Sequence, residues 1–179
     1  AIHNLSKRYG FKIIEDASHS IGASYSETKV GTCAHSDIVV FSFHPVKIIT
    51  TGEGGMALTN NKKLYNRMCR LRTHGITNDK TEMKQRPQDE IWNYQQIDLG
   101  FNYRMNDIQA TIGLSQMNRL DKYVTRRHEI AEYYDAEFKN LPITIPWQSP
   151  KVFSSYHLYS IRIKNNQNNI TQQQVYNEL

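Results

Sequence analysis

The stretch Ile38-Val39-Val40-Phe41-Ser42-Phe43-His44-Pro45-Val46-Lys47-Ile48-Ile49-Thr50-Thr51-Gly52-Glu53-Gly54-Gly55-Met56-Ala57-Leu58-Thr59 decides how this chain is read. It opens with a β-branched and aromatic run, Ile38 to Phe43, which predicts a buried strand. It closes with a second apolar run, Met56 to Thr59, read as another short strand. Between them stands Lys47, with no acidic residue nearer in sequence than Glu53. Pro45 stiffens the backbone before it, and Gly52, Gly54 and Gly55 allow tight turns after it. A lysine on a short, stiffened connection between core strands suits carbonyl chemistry. Desolvation lowers a lysine pKa, and the neutral amine condenses with an aldehyde. The ordinary alternative is a snorkelling surface charge. A phosphate-cradling loop does not fit, because the glycines follow the lysine and no G-x-x-x-x-G-K-S/T pattern occurs.

A second signal lies upstream. Phe11 to Glu15 predicts a strand that ends in Asp16 and runs on into Ala17-Ser18-His19-Ser20-Ile21-Gly22-Ala23. Open α/β sheets bind ligands at the carboxyl ends of their strands. An aspartate at one strand end, with a lysine on a neighbouring strand-end loop, is the pair that pyridoxal phosphate requires. The carboxylate keeps the pyridine nitrogen protonated, and the amine carries the aldehyde.

Four motifs then occur in order: Glu15-Asp16-Ala17-Ser18-His19-Ser20, Ser42-Phe43-His44-Pro45-Val46-Lys47, Thr50-Thr51-Gly52-Glu53-Gly54-Gly55 and Leu99-Gly100-Phe101-Asn102-Tyr103-Arg104-Met105. Together they resemble the DegT/StrS family of sugar-nucleotide aminotransferases, and the resemblance covers nearly the whole chain. It implies an α/β protein that is a fragment of the pyridoxal-phosphate-dependent aminotransferase fold of type I. The expected parts are a mostly parallel large-domain sheet with flanking helices, residues 1–141, and a linker with the start of a small C-terminal domain, residues 142–179. Trp92-Asn93-Tyr94-Gln95-Gln96-Ile97-Asp98-Leu99-Gly100 and Ser154-Ser155-Tyr156-His157-Leu158-Tyr159 are most similar to one branch of the family. That branch aminates UDP-4-keto-6-deoxy-N-acetyl-β-L-altrosamine in pseudaminic acid biosynthesis.

The resemblance implies roles residue by residue. Lys47 is the catalytic lysine and cofactor anchor, and Asp16 is the partner of the pyridine nitrogen. Ser42 is a phosphate hydroxyl; its alternative is a strand hydroxyl bonded to backbone. His19 stands where the family places a Gln or His beside the cofactor ring. Asn102 matches an asparagine that reaches across a homodimer seam to the neighbouring subunit's cofactor, so active sites are expected to be shared. His157 and Trp92 are substrate-side candidates, with packing as the alternative for Trp92 and Tyr94. Implied partners are a sugar nucleotide and L-glutamate, and no metal is implied. Three other readings stay open: a relative that aminates another ketosugar nucleotide, the dehydratase offshoot in which histidine replaces the lysine, and a non-catalytic nucleotide-sugar binding or regulatory relative. Lys47 speaks against the second, and the Asp16–Lys47 pair against the third.

Composition agrees with a globular chain: 39% of residues are apolar and 22% charged, which leaves enough apolar surface for a core. No apolar run approaches the ~18 residues of a membrane span. The net charge of +5 is spread out, although Arg67, Arg70, Arg72, His74 and Lys80 crowd one segment. That cluster reads as a solvated helix face or as attraction for a diphosphate. No nucleic-acid motif accompanies it. Cys33 and Cys69 form no metal-type spacing and read as reduced thiols, which suits the cytoplasm.

Helices are expected over residues 1–9 up to Gly10, from Asn60 or Asn61, from Asn106 or Asp107 with Ile108, Ile112 and Leu114 as its apolar positions, and across Leu120 to Phe138. Arg126 and Arg127 are assigned to the outer face of that last helix. Residues 75–100 form a long polar connection containing Pro87. Pro142, Pro146 and Pro150 punctuate a linker, Tyr156 to Lys164 reads as a strand, and Asn165 to Asn169 as a turn. Thr171-Gln172-Gln173-Gln174 is a capping-box signal. Both ends look cut, so the chain is expected to be an internal piece.

Overall fold

The computed structural model describes residues 1–84, 92–164 and 171–178. Pro87 and the turn expected at Asn165 to Asn169 lie outside the described residues. Helix α1 (Ile2–Tyr9) ends at Gly10, whose left-handed φ of 75° lets its N–H reach the Ser6 carbonyl. Next come β1 (Ile14–Asp16), the hairpin β2 (Ser24–Tyr25) and β3 (Thr28–Lys29), and the central strand β4 (Ile38–Ser42). The strand expected from Phe11 to Glu15 begins later and ends on Asp16 itself, because Lys12 and Ile13 turn to meet the Asp37 carboxylate at 3.1 and 2.9 Å.

Strand β5 (Gly55–Leu58) pairs with β4 antiparallel, whereas β1 pairs with β4 parallel. The sheet order is therefore β1-β4-β5, with only its β1–β4 half parallel. Alternation in β4 buries Val39 and Phe41 on one face. There they join Ala17, Ile21, Phe43, Ile48, Ile49, Leu120 and Val124 in the core. Met56 is 48% exposed, so the edge strand contributes less to that core than its apolar run promised.

Helix α2 (Lys62–Leu71) starts on Asn61, whose side chain accepts from the Lys63 and Leu64 N–H groups. Beyond it lie the short antiparallel pair β6 (Ile76–Thr77) and β7 (Gln95–Gln96). Helix α3 (Asp107–Met117) opens with a capping box between Asn106 and Gln109. Two of its apolar positions are exposed, Ile108 at 76% and Leu114 at 69%. Helix α4 (Leu120–Phe138) supplies Leu120 and Val124 to the core.

The C-terminal third returns to the same body. Strand β9 (Val152–Phe153) adds to β2 antiparallel, while β8 (Ile143–Thr144) pairs with β10 (Arg162–Ile163). The strand expected from Tyr156 to Lys164 is confined to those last two residues, because Ser154 to His157 leave the extended path to bond with other elements. Thr171 caps α5 (Gln172–Glu178) by the anticipated exchange with Gln174, at 2.8 and 3.2 Å. Cys33 and Cys69 are free thiols.

Candidate active site

Parallel pairing of β1 with β4 sets Asp16 opposite Val40, and Ser42 lies two residues further along. Side chains alternate along a strand, so Asp16 and Ser42 share one face at the carboxyl edge of the sheet. The core occupies the other face. After Ser42 the chain makes a closed loop. Phe43 donates its N–H to the Gly54 carbonyl at 2.8 Å, and its own carbonyl accepts from Thr51 N–H and Thr50 Oγ1 at 3.0 and 2.8 Å. Within that pinch the Lys47 N–H reaches the His44 carbonyl at 2.9 Å, closing a turn over Pro45. Ile48 and Ile49, 6% and 2% exposed, root the loop in the core directly after the lysine. Lys47 itself is half-buried. His44 is exposed and its Nε2 lies 3.9 Å from the Glu53 carboxylate.

Asp16 is organised locally. Ser18 donates to its Oδ1 from the backbone N–H at 3.0 Å and from the hydroxyl at 2.5 Å. These two bonds hold the carboxyl below its usual range, and the charges of His19 and Lys47 add to the effect against a desolvation cost. Ser18 was not singled out in the sequence. The signal available was the D-x-S spacing of a side-chain-capped turn.

Ser154 to His157 bring a fourth group. Ser155, 1% exposed, donates its hydroxyl to the His19 carbonyl at 3.1 Å, and His128 Nε2 donates to the Ser154 carbonyl at 2.7 Å. The His157 ring lies against His19 with centroids 4.3 Å apart. Burial holds His157 below the usual histidine pKa, helped by the charges of His19, Lys47 and Arg127. Its Nδ1 is buried without a hydrogen-bond partner among the described residues.

The structure thus brings together Asp16, His19, Lys47 and His157, with Ser42 on the same sheet face as Asp16. Asn102 and Trp92 are not brought there. Asn102 is exposed on a strand-like bridge to Thr73. Trp92, 74% exposed, lines a separate groove of about 650 Å³ with Arg70, Asp79, Glu82 and Tyr94. In that groove Arg70 is bonded to Asp98 at 3.1 Å and to Glu82, so the carboxylates already engage its charge. The basic cluster is therefore not a free phosphate-attracting surface at Arg70.

The sequence profile of the DegT/DnrJ/EryC1/StrS aminotransferase family matches residues 1–179. The chain belongs to this family. It is 43% identical over 162 residues to the UDP-4-amino-4,6-dideoxy-N-acetyl-beta-L-altrosamine transaminase of Campylobacter jejuni, covering 89% of this chain and 40% of that protein. Helicobacter pylori PseC, an aminotransferase involved in the biosynthesis of pseudoaminic acid, superimposes with a TM-score of 0.78 at 35% identity, over 89% of this chain and 40% of PseC. Streptococcus pneumoniae Spr1654, described as a sugar aminotransferase and solved in its PLP form, gives a TM-score of 0.74 at 29% identity, over 89% of this chain and 39% of Spr1654. The chain spans about 40% of the length of the relatives it matches.

Family members use pyridoxal phosphate, and Spr1654 is known in both its PLP and PMP forms. The residues present fit that group. The carboxylate of Asp16 is held anionic, Lys47 offers a half-buried amine, and the His157 nitrogen is buried and unpartnered. Among the described residues no helix is long and apolar enough to cross a membrane, and no cluster of potential metal ligands occurs.

Proposed function

We propose that this chain carries the cofactor-binding part of a sugar-nucleotide aminotransferase of the cytoplasm. The proposed amino acceptor is UDP-4-keto-6-deoxy-N-acetyl-β-L-altrosamine, the donor is L-glutamate, and the pathway is pseudaminic acid biosynthesis. The observation that carries this reading is the convergence of Lys47, Asp16, His19 and His157 at the carboxyl edge of β1 and β4. The 43% identity to the Campylobacter jejuni transaminase supports the choice of sugar.

Pyridoxal phosphate, when bound, supplies an aldehyde for amine exchange and an electron sink for the carbanion. Lys47 would hold the aldehyde carbon, Asp16 the ring nitrogen, His19 the ring, and Ser42 with a partner subunit's Asn102 the phosphate. Once the donor's amino group has displaced it from the aldehyde carbon, Lys47 Nζ would take the proton from the donor's Cα as base and give it up, as acid, at that former aldehyde carbon. The neutral His157 imidazole offers a hydrogen bond to the sugar without adding charge. Trp92 is assigned to the substrate side through a second subunit. A homodimer with shared sites follows from the role given to Asn102. Residues 1–141 would form the large-domain part and 142–179 the linker and small-domain part.

Borohydride reduction of the full-length protein, followed by peptide mapping, tests the reading. The label should sit on Lys47, and Lys47→Ala should abolish turnover with the fold retained; a label on another lysine refutes it. A panel of 4-keto and 3-keto sugar nucleotides then tests the substrate.

A further inference from the structure

We propose that Arg127 is a positioning residue that acts through His157, gripping the backbone of Tyr156 and His157 so that the imidazole stays against His19. Sequence alone places Arg127 among the solvated charges of α4. Instead it is half-buried, and its Nη1 donates to the Tyr156 carbonyl at 2.9 Å and to the His157 carbonyl at 3.4 Å. One guanidinium nitrogen therefore fixes two consecutive peptide groups.

Those peptides need fixing. Tyr156 has a φ of +45°, a left-handed conformation that a bulky aromatic residue adopts only where its surroundings enforce it. Three contacts enforce it here. Arg127 holds the carbonyl, Ser154 Oγ accepts the Tyr156 N–H at 3.1 Å, and the His128 ring packs edge-on against the Tyr156 ring at 4.9 Å. The left-handed residue reverses the chain after β9 and swings His157 back toward the loop that follows β1. Extended backbone at Tyr156, where the sequence pattern expects a strand to begin, would carry His157 away from His19.

The charged and titratable groups that face His157 come from three elements: His19 after β1, Lys47 after β4, and Arg127 on α4. Arg127 is the one of these that also bonds to the His157 backbone. Anchoring by a planar, permanently charged donor gives the ring a fixed place while leaving Nδ1 free for a ligand.

The inference rests on the proposed function for its activity readout only, and the two can fail separately. The experiment uses the full-length protein with histidine-selective isotope labelling, in wild type and in Arg127→Lys, Arg127→Met, His157→Ala and the Met/Ala double variant. The ring contact at 4.3 Å predicts a nuclear Overhauser effect between His19 and His157 in the unliganded wild type. That signal should survive in Arg127→Lys and vanish in Arg127→Met. With the sugar nucleotide, kcat/KM should fall about tenfold in Arg127→Met and in His157→Ala, and the double variant should be no worse than about twofold below the weaker single. Persistence of the ring signal in Arg127→Met, or losses that multiply to about 100-fold in the double variant, overturns the proposal. Should Arg127→Met not fold, Arg127→Gln, polar but too short to reach the carbonyls, takes its place under the same criteria. Borohydride labelling away from Lys47 would refute the functional reading while the ring signal still decides the role of Arg127.

Discussion

Gly22 sits where the loop carrying Asp16 and His19 turns under α4, and replacing it with alanine should strain both fold and site. Its φ is +84°, and a Cβ there would meet Val124 Cγ2 at 2.9 Å and Leu120 Cδ1 at 3.4 Å. A left-handed alanine costs about 1–2 kcal/mol. Overpacking a buried contact adds about 1–3 kcal/mol, at the low end here because the obstructing atom is the tip of a side chain. The expected loss for Gly22→Ala is therefore about 2–4 kcal/mol, read as a shift in urea unfolding of the full-length protein. Val124, 3% exposed, is the diagnostic partner. Val124→Ala alone should cost about 1–3 kcal/mol through its cavity. In the double variant the new methyl enters that cavity, so the steric part disappears and only the backbone strain remains. The two substitutions should couple by about 1 kcal/mol or more. A Gly22→Ala variant within about 0.5 kcal/mol of wild type, or a strictly additive double variant, would refute this account of the α4 contact.

Other expectations follow from the same geometry. Ser18→Ala removes the largest influence on Asp16, so the Asp16 pKa should rise toward the ordinary carboxylate value in a carbon-detected titration. The sign follows: a depressed carboxyl stabilises the fold above its unfolded pKa and loses that contribution as pH falls through the folded pKa, so in Ser18→Ala the contribution should be smaller and its loss complete at a higher pH. Val39→Ala, at a fully enclosed position in β4, should lower stability by about 1–3 kcal/mol in the same urea assay. Arg70→Met should leave Glu82 and Asp98 without their cation and lower the urea midpoint slightly, since the pairs are only partly shielded from water; no shift in unfolding would mean they contribute nothing. Mixing Lys47→Ala and Asn102→Ala subunits should restore turnover in heterodimers, and failure to do so would remove Asn102 from a shared site.

What the sequence revealed depends on how local each signal was. The central strand, the caps on Asn61, Asn106 and Thr171, and the Gly10 stop rest on neighbouring residues, and they appear where expected. The lysine loop was legible because proline and glycine constrain the backbone wherever they occur. What covers the apolar positions of α3 was not legible, because periodicity gives an apolar stripe without saying what packs on it. Leu114, 69% exposed, lines an apolar groove of about 590 Å³ with Phe41, Met56 and Met105. The path of Ser154 to His157 was illegible for a different reason. Tyr156 and His157 were expected to open a strand, and only contacts of this segment with Arg127, His128 and His19, between 26 and 136 residues away in sequence, turn it back.

The order of influences on Asp16 carries a consequence for the chemistry. Its charge is set first by the two Ser18 bonds, and the charges of His19 and Lys47 come after them. A carboxylate held chiefly by a neighbouring cation loses that support whenever the cation loses its charge. Ser18 is uncharged and two residues away on the same turn, so its support does not depend on any neighbour's charge. His157 follows the same logic with the opposite sign: burial comes first among the influences that keep it neutral, ahead of any neighbouring charge. The two fixed groups of the site, one anionic and one neutral, thus take their charge states from hydrogen bonding and packing. The charge of Lys47 comes after those causes in both groups.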